Sequence, residues 1–155
     1  MSTRYYKLIS NNKKAFYDYF IKETLQAGIE LVGTEVKSLR ENKCNLGDSH
    51  VKIINSQAYI INMHISPYEH GNIFNKDPIR TRRLLLHKRE INKLLGATTK
   101  DGLTIVPIKA YFSGSLVKLD IALAKGKKLH DKRKDIATKD MKREASREFK
   151  EKVRG

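Results

Sequence analysis

Alternating apolar and polar positions predict two β-hairpins in this chain. The first joins residues 50–54 to residues 58–65, and the second joins residues 103–112 to residues 116–124 through Ser113-Gly114-Ser115. Successive side chains of a strand point to opposite faces, so every second residue shares a face. In the first hairpin, one face is expected to hold Tyr59, Ile61, Met63 and Ile65.

Upstream of the hairpins, aromatic and β-branched residues predict one long or broken strand. They occupy residues 15–21 and 28–32, and such side chains favour extended backbone. The polar and basic residues 1–11 lack this pattern, and we expect a flexible lead-in there.

Two segments have the periodicity of helices. Residues 34–40 begin with Thr34 as an N-cap candidate, followed by an acid in the first turn and by bases near the end. Residues 81–95 are followed by Gly96, which is placed to end a helix. Their apolar stripe consists of Leu84, Ile91, Leu94 and Leu95.

The predicted elements fit a mainly β fold. Five or six short antiparallel strands with two inserted helices bury only one small core, and closing the strands into a barrel removes exposed sheet edges. We therefore predict an OB-fold-like closed antiparallel barrel over residues 12–124. Such barrels often bind nucleic acid through a strand face flanked by loops.

Charge makes a polyanion the expected partner. The 155 residues have a formal net charge of +15, and residues 125–155 hold thirteen bases against six acids, a net +7. This basic C-terminal tail has too few apolar residues for a core, so we expect it to be disordered or only conditionally helical. Its apolar residues recur every four positions, at Met141, Ala145, Phe149 and Val153.

Several classes of function find no support. There is no apolar run of 18 residues and no apolar signal-peptide core, so we expect a cytoplasmic protein without a membrane partner. The single Cys44 cannot form an internal disulfide. The five histidines lack metal-ligand spacing, and we find neither paired carboxylates nor a phosphate-binding glycine loop. We therefore expect no cofactor, no metal and no enzymatic activity.

Several ordered blocks of sequence carry a resemblance to a known family. They are Asn12-Lys13-Lys14-Ala15, Tyr19-Phe20-Ile21, Ala27-Gly28-Ile29, residues 33–40, Asp77-Pro78, residues 80–87, residues 125–128 and residues 130–133. In register from about Asn11 to Arg133, these blocks resemble the SmpB family of bacterial SsrA-binding proteins. Beyond Arg133 only the charged, helix-prone character is shared.

The resemblance implies an OB-fold RNA-binding protein that is not an enzyme. Such a protein holds the tRNA-like domain of transfer-messenger RNA (SsrA) and delivers it to stalled ribosomes for trans-translation. Its tail would occupy the decoding centre and the vacant mRNA channel, beside 16S rRNA, and fold there into a helix. Alanyl-tRNA synthetase and elongation factor Tu would meet it through the RNA, and a monomer is expected.

The resemblance also implies which residues contact the RNA. At Gln26 the chain departs from the family, which commonly has an acidic residue there. Leu85 has a second interpretation as a core residue, because it lies in a run of three leucines. On a strand, Tyr17 and Tyr19 alternate with Phe16 and Phe20, so one pair faces the core and the other is free to stack on bases. We place Tyr17 on the RNA side. The RNA contacts implied by the resemblance are Asn12, Lys13, Gln26, Leu85 and Lys118, and the alternation adds Tyr17 as a sixth predicted contact.

A second group of residues is implied to bind the ribosome. In the family His130 would stack on a ribosomal base, and Lys132 and Arg133 would bind rRNA phosphates, although a lone histidine in a basic segment is also commonly just solvated. The implied ribosome contacts are Gly126, Lys127, Lys128, His130, Asp131, Lys132 and Arg133.

A different class of function stays open at this point. A ribosomal protein, or a general single-strand RNA binder with an OB barrel and a basic extension, would have the same composition. Selective binding of transfer-messenger RNA over bulk tRNA distinguishes the two.

Overall fold

The protein is mainly β, as the sequence pattern predicts. A computed structural model describes residues 6–70 and 75–128, and this part of the chain forms nine strands and three helices. The elements are β1 (Tyr6–Asn11), α1 (Lys13–Asp18), β2 (Tyr19–Ile29), α2 (Gly33–Arg40), β3 (Cys44–Asn45), β4 (His50–Ile54), β5 (Gln57–Ile61), β6 (His64–Ile65), β7 (Arg82–Leu85), α3 (Lys88–Lys100), β8 (Thr104–Ser113) and β9 (Leu116–Gly126).

Seven strands form one antiparallel sheet, and the pairings of six of them close into a ring. Each strand of the ring pairs with the next, in the order β8, β4, β5, β7, β2 and β9, and β9 pairs back with β8. β1 lies on β8 outside the ring, and β3 pairs with β6 in a separate small sheet. Buried side chains from the ring pack with Leu39 of α2 and Leu94 of α3 in one apolar core.

The N-terminal segment contains a strand where the sequence pattern predicts a flexible lead-in. β1 pairs with β8 from Tyr6, opposite Ser113, to Asn11, opposite Lys109. Ile9 is its one buried side chain. A strand at the margin of the sheet that buries a single residue leaves almost no periodic signal in the sequence. The sequence pattern therefore does not predict β1. Residues 1–5 lie outside the described residues.

The aromatic stretch that follows is partly helical. Its first residues form α1, and β2 then runs for eleven residues, so that of the two alternatives, one long or one broken strand, the long strand is observed. Ala15 is the buried residue of α1 and packs with Val106 and Ala124. Packing of this small side chain against β8 and β9 overrides the strand preference of its aromatic neighbours.

The predicted helix at residues 34–40 is confirmed as α2, but its N-terminal cap is not Thr34. The helix begins at Gly33, and the Glu35 carboxylate accepts a hydrogen bond from the Val32 backbone N–H at 3.0 Å. An acid in the first turn thus satisfies a donor that the helix leaves unpaired.

The helix predicted over residues 81–95 is wrong in its first half. Residues 82–85 form strand β7, with Arg82 and Leu84 buried and Arg83 and Leu85 exposed. Arg82 takes an inward position because the buried Glu35 accepts a hydrogen bond from its Nε at 2.6 Å. The inward arginine hides the alternation that marks a strand. The second half is α3, which starts at Lys88 and runs through Gly96.

Both predicted hairpins are confirmed, but the second strand of the first hairpin ends at Ile61, and the four residues predicted to share one face do not share it. In β5 the buried side chains are Ala58 and Ile60, while Tyr59 and Ile61 are partly exposed. Asn62 then adopts a left-handed backbone with a φ of 65°. This kink resets the alternation, so that Met63 is buried after all.

Cys44 is a partly buried thiol in β3. Burial raises its pKa to about 12, although the nearby Arg82 opposes this effect. A thiol that stays protonated at neutral pH is a poor nucleophile. Among the described helices, none has the length and apolar character needed to cross a membrane.

Candidate nucleic-acid interface

Three of the six predicted RNA contacts meet in one open hollow on the sheet. Gln26 of β2, Leu85 of β7 and Lys118 of β9 all line it. Its volume is about 540 Å³. The other lining residues are Gly28, Arg83, Leu86, His87 and Glu90.

The strand register explains why residues far apart in sequence share this hollow. Gly28 lies opposite Leu85 on one side and opposite Lys118 on the other. Gln26 is two residues from Gly28 in β2 and therefore points to the same face. Leu85 is 48% exposed, so the alternative interpretation of Leu85 as a core residue is wrong.

Gly28 lines the hollow and leaves space in it because it has no side chain. A Cβ atom at this position would lie 3.2 Å from the Leu85 Cβ, tighter than an ordinary van der Waals contact. A side chain here would therefore force Leu85 to shift by a few tenths of an ångström. The glycine thus leaves room for a ligand between an apolar side chain and a cation.

A chain of hydrogen bonds runs from the hollow towards β1. The Gln26 Nε2 donates to the Tyr111 hydroxyl at 2.5 Å, and that hydroxyl donates to Asp120 Oδ1 at 2.8 Å. The second Asp120 oxygen lies 3.5 Å from Lys109 Nζ. Burial raises the pKa of Tyr111, the bond from Gln26 opposes this, and the bond to Asp120 adds to it. The phenol therefore remains protonated at neutral pH.

The other three predicted RNA contacts lie apart from the hollow, on or beside α1. Lys13 is exposed at the start of this helix. Tyr17 is partly buried on the same helix and is not on a strand, so the argument from strand alternation with Phe16 is wrong. Phe16 and Phe20 are 54% and 42% exposed, and neither belongs to the core.

Asn12 is a buried residue. Its Nδ2 donates to the Pro107 carbonyl at 2.8 Å and to the Leu46 carbonyl at 3.3 Å. Its backbone N–H donates to the Ile108 carbonyl at 2.7 Å. These bonds fix the turn between β1 and α1. Its buried Oδ1 has no hydrogen-bond partner among the described residues, and Asn12 stays a prediction as an RNA contact.

The predicted ribosome contacts begin at the opposite end of β9 from the hollow. Gly126 ends the strand opposite Tyr19. The Lys127 backbone N–H donates to the Asp18 carbonyl at 2.8 Å, and its Nζ lies 5.0 Å from the centroid of the Phe20 ring. Lys128 is exposed. The remaining predicted contacts, His130, Asp131, Lys132 and Arg133, lie outside the described residues.

Sequence reasoning missed most of the residues that line or support the hollow. Gly28 belongs to a block that carries the resemblance but has no signal of its own, and the apolar periodicity predicts a helix at Arg83. Tyr111 and Asp120 alternate with core residues and so gave a signal for an outward face, but the cross-strand register that joins them to Gln26 is a tertiary property. His87 and Glu90 gave no signal beyond a helix start.

The chain is similar to known proteins over most of its length. The family model described as "SmpB protein" matches residues 9–151. An SsrA-binding protein of Caldanaerobacter subterraneus subsp. tengcongensis is 60% identical over 149 residues, which are 96% of this chain and 94% of the relative. An SsrA-binding protein of Lachnoclostridium phytofermentans is 60% identical over 144 residues, 93% of this chain and 94% of the relative.

A solved structure is similar as well. One chain of the structure described as "tmRNA-SmpB: a journey to the center of the bacterial ribosome" matches with a TM-score of 0.66 and 43% identity, covering 83% of this chain and 87% of that chain. Fold, charge and comparisons together define an RNA-binding protein of a non-enzymatic class. The chain belongs to the SmpB family.

Proposed function

We propose that this protein binds the tRNA-like domain of transfer-messenger RNA (SsrA) and delivers it to stalled ribosomes for trans-translation. The observation that supports this most directly is the meeting of Gln26, Leu85 and Lys118 in one hollow on a chain of net charge +15. An apolar side chain, a cation and a polar amide suit the face of a base, a phosphate and a base or ribose edge, respectively.

The fold that serves this function is proposed to be an OB-fold-like barrel, residues 12–124, with α1, α2 and α3 attached. The closed ring of strand pairings supports this proposal. A closed ring leaves few free strand edges, so the sheet offers RNA its side chains and not its backbone. In this arrangement the barrel stands in for the anticodon arm that the RNA lacks.

The tail, residues 125–155, is proposed to act on the ribosome and not on the RNA. Lys118 in the hollow and Gly126 at the end of β9 are eight residues apart, about 26 Å along an extended strand. A basic segment leaving at that distance can enter the decoding centre and the vacant mRNA channel while the hollow holds the tRNA-like domain. Cationic side chains there would contact 16S rRNA phosphates.

The remaining partners follow from the same proposal. Alanyl-tRNA synthetase and elongation factor Tu would act on the bound RNA and need no direct site on this protein. We propose a monomer in the cytoplasm.

Replacing Lys118 with alanine is expected to weaken binding of the tRNA-like domain. Loss of one phosphate contact should reduce the slope of log Kd against log salt by about 0.7 to 0.9. Lys52→Ala on β4 is the matched control, because it removes the same charge from an exposed side chain that does not line the hollow. Gel-shift titrations between about 50 and 200 mM salt measure both slopes. Equal slopes for the two variants would show that Lys118 does not touch the phosphate backbone.

The proposed function itself is tested by competition. Wild-type protein bound to labelled tRNA-like domain is challenged with unlabelled transfer-messenger RNA or with bulk tRNA. We expect transfer-messenger RNA to displace the label at much lower concentration. Equal competition by both RNAs would favour a general RNA-binding protein.

A further inference from the structure

The hydrogen bonds beside the hollow have a fixed direction. The Asp120 carboxylate only accepts hydrogen bonds. It accepts from the Tyr111 hydroxyl at 2.8 Å, which uses the single proton of that hydroxyl. The Tyr111 oxygen can then only accept from Gln26, and it lies 2.5 Å from Nε2. Through the Tyr111 hydroxyl, the Asp120 carboxylate thus determines the orientation of the Gln26 amide, with Nε2 towards Tyr111.

This orientation decides which atom of the Gln26 amide faces the hollow. With Nε2 bound to Tyr111, the atom left for a ligand in the hollow is Oε1, an acceptor. We call the hydrogen bonds from Gln26 through Tyr111 to Asp120 the relay. If the relay were reversed, the Tyr111 hydroxyl would donate to Oε1, and the NH₂ group would face the ligand instead. An amide offers opposite hydrogen-bonding groups in its two orientations.

Packing keeps the relay in place. Tyr111 is 5% exposed and pairs across the sheet with Lys118, while Asp120 lies directly opposite both Gln26 and Lys109. The Lys109 Nζ is 3.5 Å from the second Asp120 oxygen and 5.4 Å from the centre of the Tyr111 ring. This cation therefore lies beside both the carboxylate and the ring of the residue that donates to it.

We propose that Tyr111 and Asp120 are positioning residues for RNA binding, which hold Gln26 so that its Oε1 accepts a hydrogen bond from an N–H of a nucleobase or a ribose hydroxyl in the hollow. This inference rests on the proposed function and names the chemistry of one contact within it. Neither residue needs to touch the RNA.

Replacing Asp120 with alanine separates this role from simple electrostatics. The substitution removes a negative charge beside Lys109 and Lys118, and charge alone predicts tighter binding of RNA. The positioning role predicts the opposite, because Tyr111 is then free to donate to Oε1 and turn the amide round. We expect the Kd for the tRNA-like domain to rise about fivefold, the loss of one hydrogen bond.

The rescue variant is Gln26→Glu, since a carboxylate offers an acceptor in either orientation. In that background Asp120→Ala should leave the Kd unchanged or lower it. Tyr111→Phe, which changes no charge, should weaken binding only when Gln26 is present, and its effect should not add to that of Asp120→Ala. Circular dichroism and thermal unfolding confirm that each variant is folded before the Kd is measured by filter binding at one salt concentration.

The outcomes are distinguishable. Weaker binding of Asp120→Ala with rescue by Gln26→Glu supports the positioning role. Unchanged or tighter binding of Asp120→Ala with Gln26 in place overturns it, while the proposed function stands if the wild-type protein binds selectively. Failure of the wild-type protein to prefer transfer-messenger RNA overturns the proposed function.

Discussion

A protein that ends after Arg133 is expected to bind the tRNA-like domain almost as tightly as the full chain and to support no peptide tagging on stalled ribosomes. The RNA hollow is formed by β2, β7 and β9, about 26 Å from the point where the tail leaves the sheet. The deleted residues 134–155 therefore leave the hollow intact but remove the segment proposed to enter the mRNA channel. Gel shift measures the first property, and a reconstituted stalled-ribosome assay measures the second.

A full-length variant with Met141 and Phe149 both replaced by proline controls for the charge that truncation removes. It keeps every basic residue of the tail, but proline removes backbone donors and breaks helices. If the tail acts as a helix, this variant also binds RNA and fails to tag. Wild-type tagging by the proline variant would show that the tail acts as a flexible cationic tether. Loss of RNA binding by the protein that ends after Arg133 would contradict the proposal that the barrel binds the RNA without residues 134–155.

The sequence alone predicts the strands that repeat a two-residue pattern and misses those that depend on a partner. The β8–β9 hairpin was readable because its inner residues, such as Leu119 and Ile121, are apolar at every second position. β7 was not, because the buried Arg82 breaks that pattern and is tolerated only through Glu35, 47 residues away. β1 was not, because its stability comes from pairing with β8.

For the candidate site, too, the sequence predicts individual residues but not the tertiary contacts between them. Gln26, Leu85 and Lys118 could be named from resemblance alone, but nothing in their spacing says that they meet. Their meeting depends on the register of β2 with two neighbouring strands. The relay through Tyr111 and Asp120 depends on that register too. Asn12 illustrates the reverse case, since its residue type fits an RNA contact whereas its amide nitrogen binds two backbone carbonyls inside the protein.

The buried charges around Glu35 hold the loop before β7 against α2. The carboxylate, 5% exposed, accepts hydrogen bonds from Arg82 Nε and from Arg80 Nε at 3.1 Å. The Arg82 guanidinium is fully buried and also donates to the carbonyls of Met63 at 2.6 Å and Pro78 at 3.1 Å. Burial alone would raise the pKa of Glu35, but the bonds from Arg80, the Val32 backbone and Arg82 together hold that pKa below its usual value.

Replacing Glu35 with glutamine is therefore expected to lower the free energy of unfolding by about 3 to 5 kcal/mol, because the buried Arg82 loses its counter-ion. The control is Glu30→Gln, whose exposed carboxylate lies 4.0 Å from Arg83 and should matter by less than about 1 kcal/mol. Urea unfolding at pH 7 measures both changes.

The pH dependence of unfolding provides an independent check on Glu35. Because its folded pKa lies below its unfolded value of about 4.3, its contribution is present above that pH and is lost as the pH falls through the folded pKa. Wild-type and Glu30→Gln proteins should therefore lose more stability between pH 5 and pH 3 than Glu35→Gln, which has no carboxylate left to protonate at this position. If the three proteins lose stability equally over this range, Glu35 is not held ionised by Arg80 and Arg82, and another interaction must keep β7, with Leu85 at its end, in place.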